Sequence, residues 1–217
     1  MFSKKTANTA LAGCSTMSNS SITMKVITSL RFLFATMFLF GACALASAAT
    51  IAWTNTTGGD WSVAGNWNPN QVPGASDTAV ITNNSVTVTL DIGPTVGGII
   101  LGADAGCGGG TTLLMNGQTL TLNGPFVVGT CGQFTVDSGT LSGAANATLS
   151  GVVGWGGGSF ANLAGTLTLA TNGTLNITAE TYHDMPDGGT LINNGTVRWT
   201  GGPVRGGSGT LIQNNGL

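Results

Sequence analysis

The stretches PFVVGTCGQFTVDSGTLSG (residues 125–143) and GVVGWGGGSFANLAGTLTL (residues 151–169) decide the fold, because they are two variants of one pattern. Each joins a Val-Gly pair to a Gly-Thr-Leu phrase, and aligning the pairs places Gly154 opposite Gly129. A Leu-Gly pair one interval earlier places Gly102 opposite Gly129 in the same way. Intervals of this size, about 25 residues, are typical of stacked structural repeats.

Short strands fill these repeat units. The segments VTVTLDI (residues 86–92), TLTL (residues 119–122) and TLNIT (residues 174–178) alternate aliphatic side chains with Thr or Asn, the period-two pattern of a strand with one buried face. Gly, Asn, Asp and Ser stand between the segments and favour tight corners. No segment after the leader has the pattern of an amphipathic helix.

One unit is too small to bury its own apolar face, but stacked units pair at about 4.8 Å and share a continuous core. The sequence therefore predicts an all-β chain folded as a right-handed parallel β-helix, or β-solenoid. An antiparallel β-sandwich is the alternative, since it also uses short, regularly spaced strands. The similarity of the repeats favours the solenoid, because a sandwich does not require its strands to resemble one another.

Asparagines recur at the ends of the later units, where they could form hydrogen-bonded ladders between turns or could simply serve as turn residues. The sequence leaves both interpretations open. The residues are Asn172, Asn193, Asn194, Asn214 and Asn215.

A signal peptide is predicted over residues 24–48, as a helix that precedes the solenoid. It has basic residues, an apolar run over residues 32–45 and an A-x-A cleavage site in ASA (residues 46–48), so the mature chain is expected to begin at Ala49 or Thr50. The apolar run is short for a transmembrane helix, which needs about 20 residues. A retained membrane anchor is the alternative.

Three other segments complete the predicted organisation. Residues 1–23 precede a better start at Met24 and are interpreted as a misassigned or disordered extension. Residues 49–95 are predicted to form an N-terminal cap and the first turn, and residues 96–217 the solenoid repeats. Because GTLIQNNGL breaks off within a unit, we expect the chain to be truncated at its C-terminus.

Charge excludes some classes of partner. After leader removal, Arg198 and Arg205 are the only basic residues against eight carboxylates, a formal charge of 2 − 8 = −6. Nucleic-acid binding depends on Lys and Arg that neutralise phosphates, so it is not expected.

Two cysteines, Cys107 and Cys131, remain in the mature chain, close to one period apart. Our hypothesis is a disulfide between adjacent turns, formed if the longer first loop folds back.

The stretch WTNTTGGDWSVAGNWNPNQVPG (residues 53–74) contains Trp53, Trp61 and Trp67. An uncovered solenoid end exposes apolar side chains and unpaired backbone, so these rings are predicted to cap the first turn. Exposed tryptophans could instead stack on sugar rings.

The Trp-rich segment AWTNTTGGDWSVAGNWNPNQVPGASDTAVI (residues 52–81), followed by Val-Gly and Gly-Thr-Leu repeats, resembles large bacterial secreted proteins with autotransporter-type passenger repeats and sorting-signal tails. The likeness covers essentially all of residues 51–217. It implies a β-helix repeat architecture and an adhesin-like cell-surface role, and it brings no catalytic residues with it.

One dense polar cluster interrupts the repeats, at ETYHDMPDGG (residues 180–189). Two carboxylates flanking a sugar bond could act as acid and base, and carboxylates could bind Ca²⁺. Asp184 and Asp187 share one loop, however, whereas a catalytic groove would draw residues from several turns. We therefore expect a solvated loop insertion with no catalytic residue, resident metal or other cofactor. The weaker candidates for chemistry are Glu180, Tyr182, His183, Asp184, Asp187, Arg198 and Arg205.

These observations favour a noncatalytic, structural or adhesin-like protein, exported through the Sec pathway to the cell surface or the medium. The expected partner is a polysaccharide or another cell-surface component, without nucleic acid and without membrane insertion of the mature chain. The alternative is a carbohydrate-active β-helix enzyme, a polysaccharide lyase or hydrolase using residues 180–187.

Overall fold

Residues 47–217 are the part of the chain that the computed structural model describes, and they contain 22 strands and one short 3-10 helix. The predicted extension (residues 1–23) and the predicted signal-peptide helix lie outside the described residues, apart from Ser47 and Ala48, which are not helical. Within residues 47–217, no helix has the length and hydrophobicity needed to cross a membrane.

The strands follow one another with short connections, and the 3-10 helix η1 (Ala64–Asn66) lies between the second and third. In chain order the strands are β1 (Thr50–Trp53), β2 (Gly59–Asp60), β3 (Trp67–Asn68), β4 (Thr78–Ile81), β5 (Thr87–Thr89), β6 (Thr95–Val96), β7 (Gly98–Leu101), β8 (Thr111–Leu114), β9 (Thr119–Leu122), β10 (Phe126–Val128), β11 (Gly132–Val136), β12 (Thr140–Gly143), β13 (Ala147–Leu149), β14 (Val152–Trp155), β15 (Ser159–Leu163), β16 (Thr166–Leu169), β17 (Thr174–Ile177), β18 (His183–Asp184), β19 (Thr190–Asn193), β20 (Thr196–Trp199), β21 (Val204–Arg205) and β22 (Leu211–Asn214).

Three sheets run along the molecule, and from β4 onward every third strand returns to the same sheet. Sheet A contains β1, β4, β7, β10, β13, β16, β19 and β22, with β3 added at its end; sheet B contains β2, β5, β8, β11, β14, β17 and β20; sheet C contains β6, β9, β12, β15, β18 and β21. Strands β4 to β21 therefore form six three-strand turns (18 ÷ 3 = 6). Neighbouring turns pair in parallel, which confirms the predicted parallel β-solenoid.

The register corrects one of the sequence alignments. Val128 pairs with Leu101, so Gly129 does lie opposite Gly102. Gly154, however, pairs with Thr135 in sheet B, and Ser150 follows the Leu149–Val128 pair to occupy the place opposite Gly129. The predicted equivalence of Gly129 and Gly154 is wrong, because a Val-Val-Gly sequence occurs in strands of two different sheets within successive turns.

The core is a column of inward-facing side chains from all three sheets. In β16, Leu167 and Leu169 are buried while Thr166 and Thr168 lie on the outward side, as the period-two pattern predicts. Phe126 and Phe134 meet edge to face, with ring centroids 4.8 Å apart. Burial of this apolar column is the main term that stabilises the stacked turns.

The N-terminal end of the column is closed by the three tryptophans. Strand β3 pairs antiparallel with β1, which places Trp53 opposite Trp67. The Trp67 ring lies edge-on to Trp53 at 4.9 Å and to Trp61 at 4.7 Å between centroids. Trp53 is 2% exposed, and Trp61 and Trp67 are each 0% exposed. None of the three therefore offers an accessible ring face on which a sugar could stack.

Two asparagine ladders join the last turns. The Asn193 side-chain amide donates to Oδ1 of Asn214, and Asn215 Nδ2 donates to Oδ1 of Asn194 at 2.9 Å. Asn172 belongs to neither ladder, because the residue in register with Asn193 is Leu169. The ladder interpretation therefore holds for the pairs Asn193–Asn214 and Asn194–Asn215, and Asn172 is an exposed turn residue.

Candidate functional site

The polar cluster of residues 180–187 contains strand β18 of sheet C, and the connection before β18 is longer than the corresponding connection before β15. Asp184 pairs with Ser159, and Ser159 pairs with Thr140 on the turn before. The chain between Ser159 and Asp184 is longer than the chain between Thr140 and Ser159. Part of the additional length lies in residues 178–182, the largely exposed connection between β17 and β18. The predicted solvated insertion is therefore confirmed only in part, because β18 and the buried Met185 and Pro186 belong to the stack.

Asp184 is paired with Arg205, its register partner on the next turn. The Arg205 guanidinium donates from Nε to Oδ1 at 2.6 Å and from Nη2 to Oδ2 at 2.9 Å. These hydrogen bonds, reinforced by the opposite charge, hold the pKa of Asp184 below its ordinary value and raise that of Arg205. Asp184 is therefore ionised at neutral pH and unsuited to acting as a general acid.

Tyr182 completes this exposed group. Cζ of Arg205 lies 3.8 Å from the centroid of the Tyr182 ring, a cation–π contact, and the Tyr182 side chain is 56% exposed. The contact orients the ring against the ion pair. It leaves Tyr182 as the accessible aromatic side chain of the cluster.

His183 is a core residue, although the sequence groups it with this cluster. It is 0% exposed, and its Nε2 lies 3.0 Å from the backbone oxygen of Trp155, whose ring meets the imidazole edge-on at 5.1 Å. The other ring nitrogen, Nδ1, has no hydrogen-bond partner among the described residues. In this position His183 packs between turns and does not contact solvent or a surface ligand.

The other three candidates are dispersed. Glu180 and Asp187 are exposed on the loop, on either side of β18. Arg198 lies in β20 of sheet B, in register with Asn176. The structure therefore brings Tyr182, Asp184 and Arg205 together, and it does not bring Arg198 into their group.

Metal-binding residues are not clustered in the described region. Within residues 47–217, no group of three or more His, Cys, Asp or Glu side chains is arranged to hold a metal ion.

The structure contains the hypothesised disulfide, which joins Cys107 to Cys131 with 5.3 Å between their Cα atoms. This bond fixes the glycine-rich loop after Gly102 to the following turn.

Two carboxylates near the N-terminal end were not singled out by the sequence analysis. Asp91 accepts hydrogen bonds from the backbone and side chain of Ser62; burial opposes its ionisation, but these bonds outweigh burial and lower its pKa. Asp77 is only 6% exposed and accepts from the backbone amides of Ala49 and Gly74. The signal that could have identified Asp77 is an isolated Asp shortly after a Pro-Gly turn and directly before a strand.

The C-terminal end of the solenoid differs from the N-terminal end in its exposure. Trp199 is 57% exposed, Leu211 and Ile212 are each 50% exposed, and a cavity of about 320 Å³ is lined by Trp199 and Ile212. Trp155 and Leu191 form its inner wall. The lining of the cavity is mostly apolar and also includes Asn193 and Asn214.

Within the cluster, Asp184 is ion-paired and His183 is buried, whereas Glu180 and Asp187 are exposed. Comparison with protein-family models, with curated proteins and with solved structures finds no match to this chain.

Proposed function

We propose that this chain is a noncatalytic β-solenoid protein of the cell exterior, with a structural or adhesin-like role. The observation that carries the proposal is that side chains of the cluster at residues 180–187 make contacts between turns of the solenoid. Its best candidates for chemistry are occupied by contacts between turns, since Asp184 is ion-paired to Arg205 and His183 is buried against Trp155. Both interactions join successive turns and therefore reinforce the stack.

The outward face of sheet C supports a binding role without catalysis. The register aligns Thr119, Thr140, Ser159, Asp184 and Arg205 in one row, a series of hydroxyl groups that ends in the ion pair. Tyr182 lies next to the end of this row with more than half of its side chain exposed. Hydroxyl groups and an exposed aromatic ring suit a polysaccharide or another polar cell-surface component as partner.

Export through the Sec pathway is the second part of the proposal. It is supported by the A-x-A sequence before Ala49 and by the resemblance of residues 52–81 to bacterial secreted proteins with autotransporter-type passenger repeats. A disulfide between Cys107 and Cys131 is consistent with an oxidising compartment.

A polysaccharide array tests whether the chain is noncatalytic. The mature chain is assayed for binding and for cleavage, with and without Ca²⁺, beside the variants Asp184→Asn and Asp137→Asn. Asp137 is the matched control because it is an exposed aspartate on another turn. We expect no cleavage by any of the three proteins. Cleavage by the native chain that is lost in Asp184→Asn and kept in Asp137→Asn would instead establish a carbohydrate-active enzyme.

Fractionation of a bacterial host that expresses the full chain tests the location. We expect the processed chain outside the cytoplasm, and a large side chain in place of Ala48 should cause the unprocessed chain to accumulate. Processed and unprocessed chains confined to the cytoplasm would contradict the proposed export.

A further inference from the structure

Asp77 is a buried carboxylate at the start of the solenoid, immediately before β4. Its Oδ1 accepts from the Ala49 backbone N–H at 3.1 Å, and its Oδ2 accepts from the Gly74 N–H at 2.9 Å and lies 3.4 Å from Nε2 of Gln71. With 6% exposure, Asp77 is largely removed from water. All of these donors are neutral groups.

A buried carboxylate is costly unless an opposite charge compensates it. The only Lys or Arg side chains in residues 47–217 are Arg198 and Arg205, in β20 and β21, and the single histidine, His183, lies in β18, so none of them is near the first turn. Among the described residues, Asp77 therefore has no cationic partner.

Ala49 is also one of the two residues, with Thr50, at which the mature chain is expected to begin. The residues before it are Ala46, Ser47 and Ala48, and small side chains at the first and third positions before the bond are what signal peptidase requires. Residues 47–50 are exposed, so the described part of this segment is accessible. The cleavage site and the buried carboxylate thus meet at one atom, the nitrogen of Ala49.

We propose, resting on the export proposed above, that cleavage between Ala48 and Ala49 creates the missing cation, and that the new α-ammonium group of Ala49 forms an ion pair with Asp77. Signal peptidase hydrolyses the peptide bond with one water molecule, which leaves a carboxylate on Ala48 and an amine on Ala49. The amine takes up a proton and becomes an ammonium with three N–H donors. One of them occupies the place of the present N–H donor to Oδ1 of Asp77.

The ion pair ties leader removal to the stability of the first turn. The Ala49 backbone oxygen accepts from Thr78 N–H at 2.8 Å, and β1 pairs with β4 from the Thr50–Thr78 pair onward. A charged contact at Ala49 therefore anchors the beginning of β1 to the beginning of β4. In the unprocessed chain the same contact is a hydrogen bond from a neutral amide, which is weaker.

Amine labelling provides a selective test, because residues 49–217 contain no lysine and the α-amine is the only amine of the mature chain. The full chain is exported with its own leader, and intact mass gives the first residue, expected to be Ala49. Acylation with an amine-reactive ester is then timed at fixed pH. Only the neutral amine reacts. When a nearby carboxylate raises the pKa of an amine by one unit, the neutral fraction of the amine falls about tenfold.

Two variants serve as controls. Insertion of Gly-Ser between Ala48 and Ala49 moves the new amine away while Asp77 keeps the Ala49 N–H as a donor, so this variant is expected to fold. Asp77→Asn removes the charge but leaves Ala49 as the first residue. We expect the native chain to label about tenfold more slowly than the insertion variant, and Asp77→Asn, where it folds, to label as fast as the insertion variant.

Equal labelling rates in the native chain and the insertion variant would overturn the inference, as would a mature chain that begins at a residue other than Ala49. Neither result depends on binding or turnover of a polysaccharide. Failure of this inference and failure of the proposed adhesive role are therefore distinguishable.

Discussion

Asp184 and Arg205 face each other on adjacent strands of sheet C, one solenoid turn apart, and form a two-point ion pair with an Nε–Oδ1 distance of 2.6 Å. Their side chains are 34% and 52% exposed, so solvent screens the pair and its stabilising effect is modest. The pair is nevertheless regular, because the parallel register brings the two side chains into the same row. Its contribution should depend on pH through the carboxyl group.

We expect Asp184→Asn to lower stability slightly near neutral pH and to have a smaller effect in acid. The Arg205 hydrogen bonds lower the folded-state pKa of Asp184 from the ordinary 3.8, so its stabilising contribution is present above that value and is lost as pH falls through the folded-state pKa. Urea unfolding of native and variant chains across this range measures the difference. A difference that grows as the pH falls would contradict the assignment.

Adjacent isoleucines in β7 test the two faces of a strand. Ile99 is fully buried, whereas Ile100 is 41% exposed. Replacement of a buried Ile by Ala removes apolar contacts and leaves a cavity, so Ile99→Ala should cost about 2–5 kcal/mol of the free energy of unfolding. Ile100→Ala should cost no more than about 1 kcal/mol. Denaturant unfolding of both variants checks this, and similar losses would show that the strand faces are misassigned.

Glycines at Gly102 and Gly106 share a φ of +75° but have different surroundings. A Cβ at Gly106 would meet no atom within 4 Å, whereas a Cβ at Gly102 would lie 2.2 Å from the backbone nitrogen of Gly132 on the next turn. Gly106→Ala should therefore cost only the left-handed backbone penalty, about 1–2 kcal/mol. Gly102→Ala should cost about 1–3 kcal/mol more, since backbone must move. Comparing the unfolding midpoints of the two variants isolates the effect of the contact between residue 102 and the Gly132 backbone. Equal losses of stability in the two variants would argue against this contact.

The sequence predicts strand faces better than it predicts register. Alternation of Leu167 with Thr168 specifies which side chain is buried, because a strand has a period of two whatever its partner is. The partner itself depends on turn length, and turn length varies here. The chain from Ile99 to its partner Phe126 is longer than the chain from Phe126 to its next partner, Ala147. Local similarity between two Val-Gly pairs therefore could not identify the true pairing.

The candidate site was predictable in position but not in the roles of its residues. The break in the repeat at residues 180–187 indicates a loop, and exposed connections are present on both sides of β18, although β18 itself is a strand of sheet C. Burial of His183 could not be inferred, because a polar sequence context gives no sign that one member of the cluster continues the inward row of sheet C. The pairing of Asp184 with Arg205 likewise requires the register, since a full turn of the solenoid separates the two along the chain.

The disulfide between Cys107 and Cys131 should make a large contribution to stability for a single covalent bond. It closes a loop with a sequence separation of 24 residues, and loss of chain entropy in the unfolded state predicts a stabilisation of about 3 kcal/mol. We expect the Cys107→Ala, Cys131→Ala double variant to unfold at correspondingly lower denaturant concentration. Reductant should destabilise the native chain to a similar extent and leave the double variant unchanged, which separates the bond from the side chains. Cys131 is 4% exposed, so part of the variant's loss comes from packing, and the reductant experiment excludes that part. Two free thiols in the unreduced, denatured chain after export would contradict the bond, because an oxidising compartment is where it should form.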